Sequence, residues 1–177
     1  KYYGVTPDLS VFAKAMASGF PISAIVGKKE WMQLVADGRV IHAGTMNSAC
    51  ALIAAALGTL EVLEEVGTYE RIYLLGKRLM QGLERVSKET GQNLLVQGLG
   101  PMFHTGFSDL RNIKEFRDLR HYEQLKSKIF VQGLQQRGVR VIGRGLWYIS
   151  SVHTEEHIDH AILMAKDTLQ ELKLMDL

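Results

Sequence analysis

The sequence predicts a mixed α/β protein in two parts, with residues 1–67 forming the end of a larger α/β domain and residues 68–177 forming a small α+β domain. Three observations carry that expectation. Residues 9–13 and 22–27 are short apolar runs close together, the length of buried strands in a larger sheet. Gly67 interrupts two long helical patterns and marks the boundary. Beyond Gly91, short apolar segments bounded by glycines alternate with helical stretches, which is the texture of a sheet with helices on one face.

Taken in order, the two apolar runs read as strands, and residues 28–37 place Trp31, Leu34 and Val35 at helical intervals before Gly38. Residues 42–48 are a loop by composition. The Ala- and Leu-rich stretch 49–65 predicts a long helix that Asn47 or Ser48 can cap. Residues 69–88 resume the helical pattern with Ile72, Leu75, Leu79, Leu83 and Val86 on one face. Segments 93–96, 102–107, 139–142 and 146–150 read as strands, and 119–137 as a helix with Tyr122, Leu125, Ile129 and Leu134 facing inward. The last helix, 155–172, has Ile158, Ala161, Ile162, Ala165 and Leu169 in register. Thr154 is its N-cap, with Glu155 and Glu156 complementing the dipole.

Composition narrows the function classes. A chain of 177 residues with 46% hydrophobic and 23% charged residues is globular rather than disordered. A net charge of +2, with 21 basic residues scattered along the chain, argues against a nucleic-acid footprint. The lone Cys50 cannot form an internal disulfide and reads as a small buried apolar residue in a reducing compartment, so the cytoplasm is the default. No apolar run reaches the roughly 18 residues of a membrane span, and the first residues lack the apolar core of a signal peptide. The chain starts on a residue other than Met and close to a strand with nothing before it to pair, which predicts a fragment.

Among the chemical candidates, Lys14 stands where the first strand gives way to the small residues before Pro21. A lysine amine becomes nucleophilic when a partly apolar pocket disfavours its ammonium form, although most lysines are simply solvated. The loop holding Gly44 and Thr45 feeds a helix N-terminus, whose free N–H groups and dipole can hold an anion such as phosphate; many helices start this way and bind nothing. Arg144, between Gly143 and Gly145, can clamp a carboxylate with two parallel hydrogen bonds, against the commoner reading of a solvated turn arginine. His153, His157 and His160 have no thiolates near them in sequence and read as surface or capping residues, so no metal is expected. Ser10 and Ser23 have no histidine and carboxylate in an arrangement that would activate a hydroxyl. Trp147 and Tyr148 read as core or interface.

Five pieces occur in order: Tyr3-Gly-Val-Thr-Pro-Asp-Leu9, Lys14, Ser18-Gly-Phe-Pro21, His42-Ala-Gly-Thr-Met46 and His153-Thr-Glu-Glu-His-Ile-Asp159. Their order and spacing resemble the class III pyridoxal-phosphate aminotransferases of fold type I, closest to the glutamate-1-semialdehyde aminomutase-like branch. The resemblance implies the C-terminal part of such an enzyme: the end of its large cofactor-binding domain followed by its small domain, with more than half of the parent upstream. It implies that Lys14 carries pyridoxal 5'-phosphate as a Schiff base and shuttles a proton on the substrate. Thr45, with the Gly44 backbone nearby, would hold the cofactor phosphate of the neighbouring subunit, implying a homodimer with a shared site. Arg144 would lie where the small domain approaches the substrate. The reaction implied is amino-group transfer or a 2,1-aminomutase rearrangement of an amino acid or amino-aldehyde, and the isolated piece is expected to be inactive and to bind cofactor weakly. Ala13 stands where the family commonly has glycine, and the glycine turn after the lysine is reduced to Ala17-Ser18-Gly19, which leaves the subfamily and substrate open. A racemase or epimerase of the same class, or a non-catalytic dimerisation module with Lys14 on its surface, remain alternatives.

Overall fold

The computed structural model describes residues 3–175, and the chain divides between Val66 and Gly67 into two compact units. In the first, β1 (Leu9–Phe12) pairs antiparallel with β2 (Ala24–Gly27), setting Leu9 opposite Gly27 and Phe12 opposite Ala24. A Cβ on Gly27 would fall 2.4 Å from the Asp8 carbonyl oxygen, so glycine is needed for the strands to close at this end. Lys28 and Asp8 form an ion pair of 2.5 Å there. Two helices follow, α1 (Lys29–Ala36) and α2 (Cys50–Glu64).

The strands form where expected, but they are not buried. Val11 is 70% exposed, Phe12 52% and Ile25 54%, because side chains on both faces of this two-stranded pair meet no further layer among the described residues. Cys50 is exposed as well, against the expectation of a buried thiol, since it sits in the open first turn of α2. Neither Asn47 nor Ser48 caps that helix. Its N-cap is Ala49, no side chain bonds to its first turn, and the Asn47 amide lies over Gly44 instead.

The second unit has a core of its own. A three-stranded antiparallel sheet runs in the order β3 (Leu94–Leu99), β4 (Met102–Phe107), β5 (Leu146–Tyr148). Its helices are α3 (Thr68–Thr90), α4 (Gln124–Gln136) and α5 (Glu155–Leu174), with α3 against β3, α4 against β4 and α5 against both helices. Alternation along the strands turns Leu94, Val96, Phe103, Phe107 and Trp147 into the core shared with Leu79, Leu83, Phe130, Leu134, Ala165 and Leu169. Phe107 meets Phe130 edge to face, and Phe103 stacks on Trp147. Tyr148, the next residue on β5, faces out at 53% exposure.

Two expected elements are corrected here. Residues 139–142 make no strand; a single bridge joins Ile142 to Leu146 across a tight turn. The helix expected over 119–137 is broken in two. A 3-10 turn, Phe116–His121, gives way to Tyr122 in extended conformation, and the Glu123 N–H donates to the Phe107 carbonyl at 2.9 Å before α4 begins. That bond shifts the helical register, so Leu125 points outward at 62% exposure while Tyr122 is buried.

α5 is anchored at its start. The Thr154 hydroxyl accepts from the His157 N–H, and Arg78 of α3 reaches Asp159 through two parallel bonds of 2.9 and 2.7 Å and Glu155 at 3.0 Å. No described helix is long and apolar enough to cross a membrane.

Candidate active site

Lys14 opens a one-turn 3-10 helix, Lys14–Ala17, directly after β1. Among the described residues three non-glycines have positive φ: Lys14 at 55°, Ser18 at 48° and Ser48 at 61°. A lysine gains nothing from this left-handed conformation, which costs on the order of 1–2 kcal/mol for a residue with a Cβ. The turn is held by packing on α2, where Ala17 and Ala56 are the buried side chains and the hydroxyls of Thr59 and Ser18 share a hydrogen bond of 3.2 Å. Lys14 therefore sits on a fixed, strained turn.

Its side chain is exposed, in an open groove with Phe20, Pro21 and Ser23, and no described residue bonds to its amine. The sheltered surroundings expected for it are not formed by these residues. Phe12, Phe20 and Ile25 nearby in the fold are themselves about half exposed, so this unit supplies one wall rather than a pocket.

Gly44 and Thr45 stand in the turn before α2, the helix on which the lysine turn also packs. The Thr45 hydroxyl has no partner among the described residues, and the first turn of α2 lacks a side-chain cap, so donors suited to a phosphate are available. No hydrogen bond connects Lys14 with Gly44 or Thr45. The residues fit the chemistry of pyridoxal phosphate, an accessible amine and open N–H and O–H donors, without forming one cradle.

Arg144 lies in the second unit, exposed and without an ion-pair partner among the described residues. The turn beneath it is tightly fixed: the Gly145 N–H donates to the Ile142 carbonyl at 2.7 Å, and the Thr105 N–H donates to the Gly145 carbonyl at 2.8 Å. Gly145, at φ 81°, has no room for a side chain, because a Cβ would fall 2.1 Å from the Thr105 carbonyl oxygen. Below it, Trp147 Nε1 donates to the Thr105 hydroxyl at 3.0 Å.

Beside this turn is a pair that sequence reasoning missed. His104 of β4 lies on the sheet face opposite the core, stacked on Tyr122 at 5.3 Å, with its Nδ1 3.1 Å from the Tyr122 hydroxyl. Burial holds the His104 imidazole below the usual histidine range, partly offset by a hydrogen bond to the Arg144 backbone and reinforced by the Arg144 charge. Burial pushes the Tyr122 phenol up. The alternation of Met102–Phe107 sets His104 apart from Phe103 and Phe107, which was the available signal; its partner arrives only because the helix breaks at Tyr122.

The C-terminal histidines have local roles. His153 Nδ1 accepts from the Ser150 N–H at 3.0 Å, and His157 Nδ1 accepts from the Thr154 N–H at 3.2 Å. Among the described residues no three metal-ligating side chains converge.

Comparison with known proteins sets this geometry in a family. The chain is 30% identical over 173 residues to the glutamate-1-semialdehyde 2,1-aminomutase of Desulfitobacterium hafniense, covering 96% of this chain and 40% of that protein. It is 33% identical over 175 residues to the enzyme of the same name from Thermodesulfovibrio yellowstonii, covering 97% and 41%. The chain thus spans about two-fifths of the length of the curated relatives it matches. An omega-transaminase structure from Sphaerobacter thermophilus superposes with a TM-score of 0.85 at 25% identity over 97% of this chain and 40% of that one. The fold is also that of the PLP internal aldimine form of the FumI protein from Sphingopyxis sp. MTA144, at a TM-score of 0.82 and 24% identity over 99% and 39%. The mixed helix and sheet arrangement is accordingly a partial region of a larger aminotransferase fold. The lysine turn after β1, the loop before α2 and the capped start of α5 all lie within the match to Aminotransferase class-III, which runs over residues 1–169, and the chain belongs to that family.

Proposed function

We propose that the protein carrying this chain is a pyridoxal-phosphate-dependent enzyme of amino-group transfer, an aminotransferase or a 2,1-aminomutase, acting on an amino acid or amino-aldehyde. The observation that carries the reading is Lys14: the lysine singled out by the order of the family's motifs is also held at φ 55° on a packed turn at a strand's end. Strain of this kind concentrates at functional sites. Family membership over residues 1–169 and relatives named as aminomutases support the same reaction class.

In this reading residues 1–67 end a large cofactor-binding domain and residues 68–177 form the small domain. The cofactor supplies an aldehyde for amines and an electron-withdrawing ring that stabilises negative charge on a substrate carbon. Lys14 Nζ holds it covalently and, when free, takes and returns the proton at that carbon. The Gly44 N–H and Thr45 hydroxyl hold the phosphate in a second copy, which makes the assembly a homodimer with shared sites. Arg144 receives a substrate carboxylate as a two-pronged donor. The lone cysteine supports a cytoplasmic setting.

The test is amino transfer from an amino acid to a 2-oxo acid by the full-length protein and its Lys14→Arg variant, with cofactor absorbance recorded alongside. The expected result is activity in the parent and only background in the variant, with the absorbance band of the bound cofactor altered. Equal turnover in both removes Lys14 from the chemistry, and no turnover in either leaves the non-catalytic module.

A further inference from the structure

The groove around Arg144 contains one interaction set with no role in the activity outlined above. His104 is stacked on Tyr122 with its Nδ1 3.1 Å from the phenol oxygen. Its other nitrogen points at the Arg144 turn: a Cβ on Gly145 would stand 3.5 Å from His104 Nε2. The Tyr122 ring is wedged over Gly106, where a Cβ would fall 2.2 Å from it, so neither ring can slide along the strand. Each nitrogen has one task. With the phenol as donor to Nδ1, the tautomer protonated at Nε2 presents that N–H to the Arg144 turn.

We infer that His104 and Tyr122 are positioning residues for Arg144, holding the Gly143–Gly145 turn so that the guanidinium meets a substrate carboxylate in one orientation. The inference rests on the proposed role of Arg144 as that carboxylate's partner. The arginine side chain has no protein partner among the described residues, so its aim is set by the backbone that carries it. That backbone is fixed from below by the Thr105–Gly145 bond, and the His104 ring stands against it at Gly145.

The arrangement is sensitive to protonation. A doubly protonated imidazole must donate from both nitrogens, which ends the phenol's donation to Nδ1 and puts a second positive charge beside Arg144. Among the described residues, the titratable or charged groups beside His104 are Tyr122, from the segment before α4, and Arg144, from the turn before β5, with Lys128 of α4 lining the same groove; its strand partners Gln97 and Leu146 are uncharged. Burial keeps the ring neutral near pH 7, so the turn is set for binding there and loosens in acid.

The test is titration calorimetry of glutarate, a dead-end dicarboxylate, into the full-length holoenzyme and its Tyr122→Phe, His104→Gln and Arg144→Ala variants at pH 8 and pH 5.5. Phenylalanine keeps the ring and removes one hydroxyl, and glutamine keeps a donor near the Nε2 position; thermal midpoints confirm folding. Loss of one such bond weakens glutarate by about five- to tenfold at pH 8 in either conservative variant. Wild type loses further affinity at pH 5.5, and His104→Gln loses less across the same interval. A purely structural role would leave that pH difference in place. Wild-type affinity in Tyr122→Phe and His104→Gln, with weakened binding in Arg144→Ala, overturns the positioning role and leaves the clamp standing. Unchanged or absent binding across all four proteins overturns the clamp and the positioning role together.

Discussion

His104 illustrates how a single side chain is read through its surroundings. Desolvation lowers its pKa from the ordinary 6.5, so the unfolded chain takes up the proton first as the solution is acidified. Stability is therefore unaffected by this group above pH 6.5 and declines as the pH falls from there toward the lowered native value. Asp159, held below the usual carboxylate range by its hydrogen bonds to Arg78, and Glu89, held down by Lys166, lose their contributions only in stronger acid. Thermal midpoints from pH 8 to pH 5 should fall for wild type and stay flatter for His104→Gln; parallel curves would show that the ring does not titrate in this window. Of the residues that matter here, Thr154 was legible in the sequence because a cap and its helix are neighbours in the chain. His104 was not, since its partner lies 18 residues away across a break no local pattern announces.

At the scale of elements, the contact between α3 and the turn joining β3 to β4 is closer than side chains allow. A Cβ on Gly76 would fall 1.8 Å from the Gly100 carbonyl oxygen, a backbone atom that cannot rotate away. Replacing glycine by alanine within a helix ordinarily gains up to about 1 kcal/mol. Here overpacking of about 1–3 kcal/mol opposes it, and Gly76→Ala is expected to lower stability by about 1–2 kcal/mol in urea denaturation. A stabilised variant would show that α3 and the turn sit farther apart. The amphipathic periods of α3 and α5 were readable because one face of each is buried from end to end. The break at Tyr122 was unreadable because the bond from Glu123 to the Phe107 carbonyl is a tertiary contact that overrides an unbroken helical period.

Over the whole molecule the two units differ in how much apolar surface they bury. The unit from Gly67 onward encloses Leu79, Leu83, Phe103, Phe107, Phe130, Leu134 and Leu169 almost completely, whereas Ala17 and Ala56 are the buried hydrophobic residues of the unit before it. A two-stranded pair with both faces open is marginal in water. Hydrogen exchange on the 177-residue polypeptide should find α3 and α5 strongly protected and β1 and β2 exchanging rapidly. Equal protection in both units would contradict this contrast. The same difference explains why the motifs around Lys14 were legible while its environment was not: the residues that would enclose the amine are not among those its neighbouring strands contribute. The most direct test of the central claim is borohydride reduction of the full-length protein loaded with pyridoxal phosphate, followed by peptide mapping by mass. A pyridoxyl label on Lys14 is the predicted result, and a label confined to other lysines, or none, would contradict it.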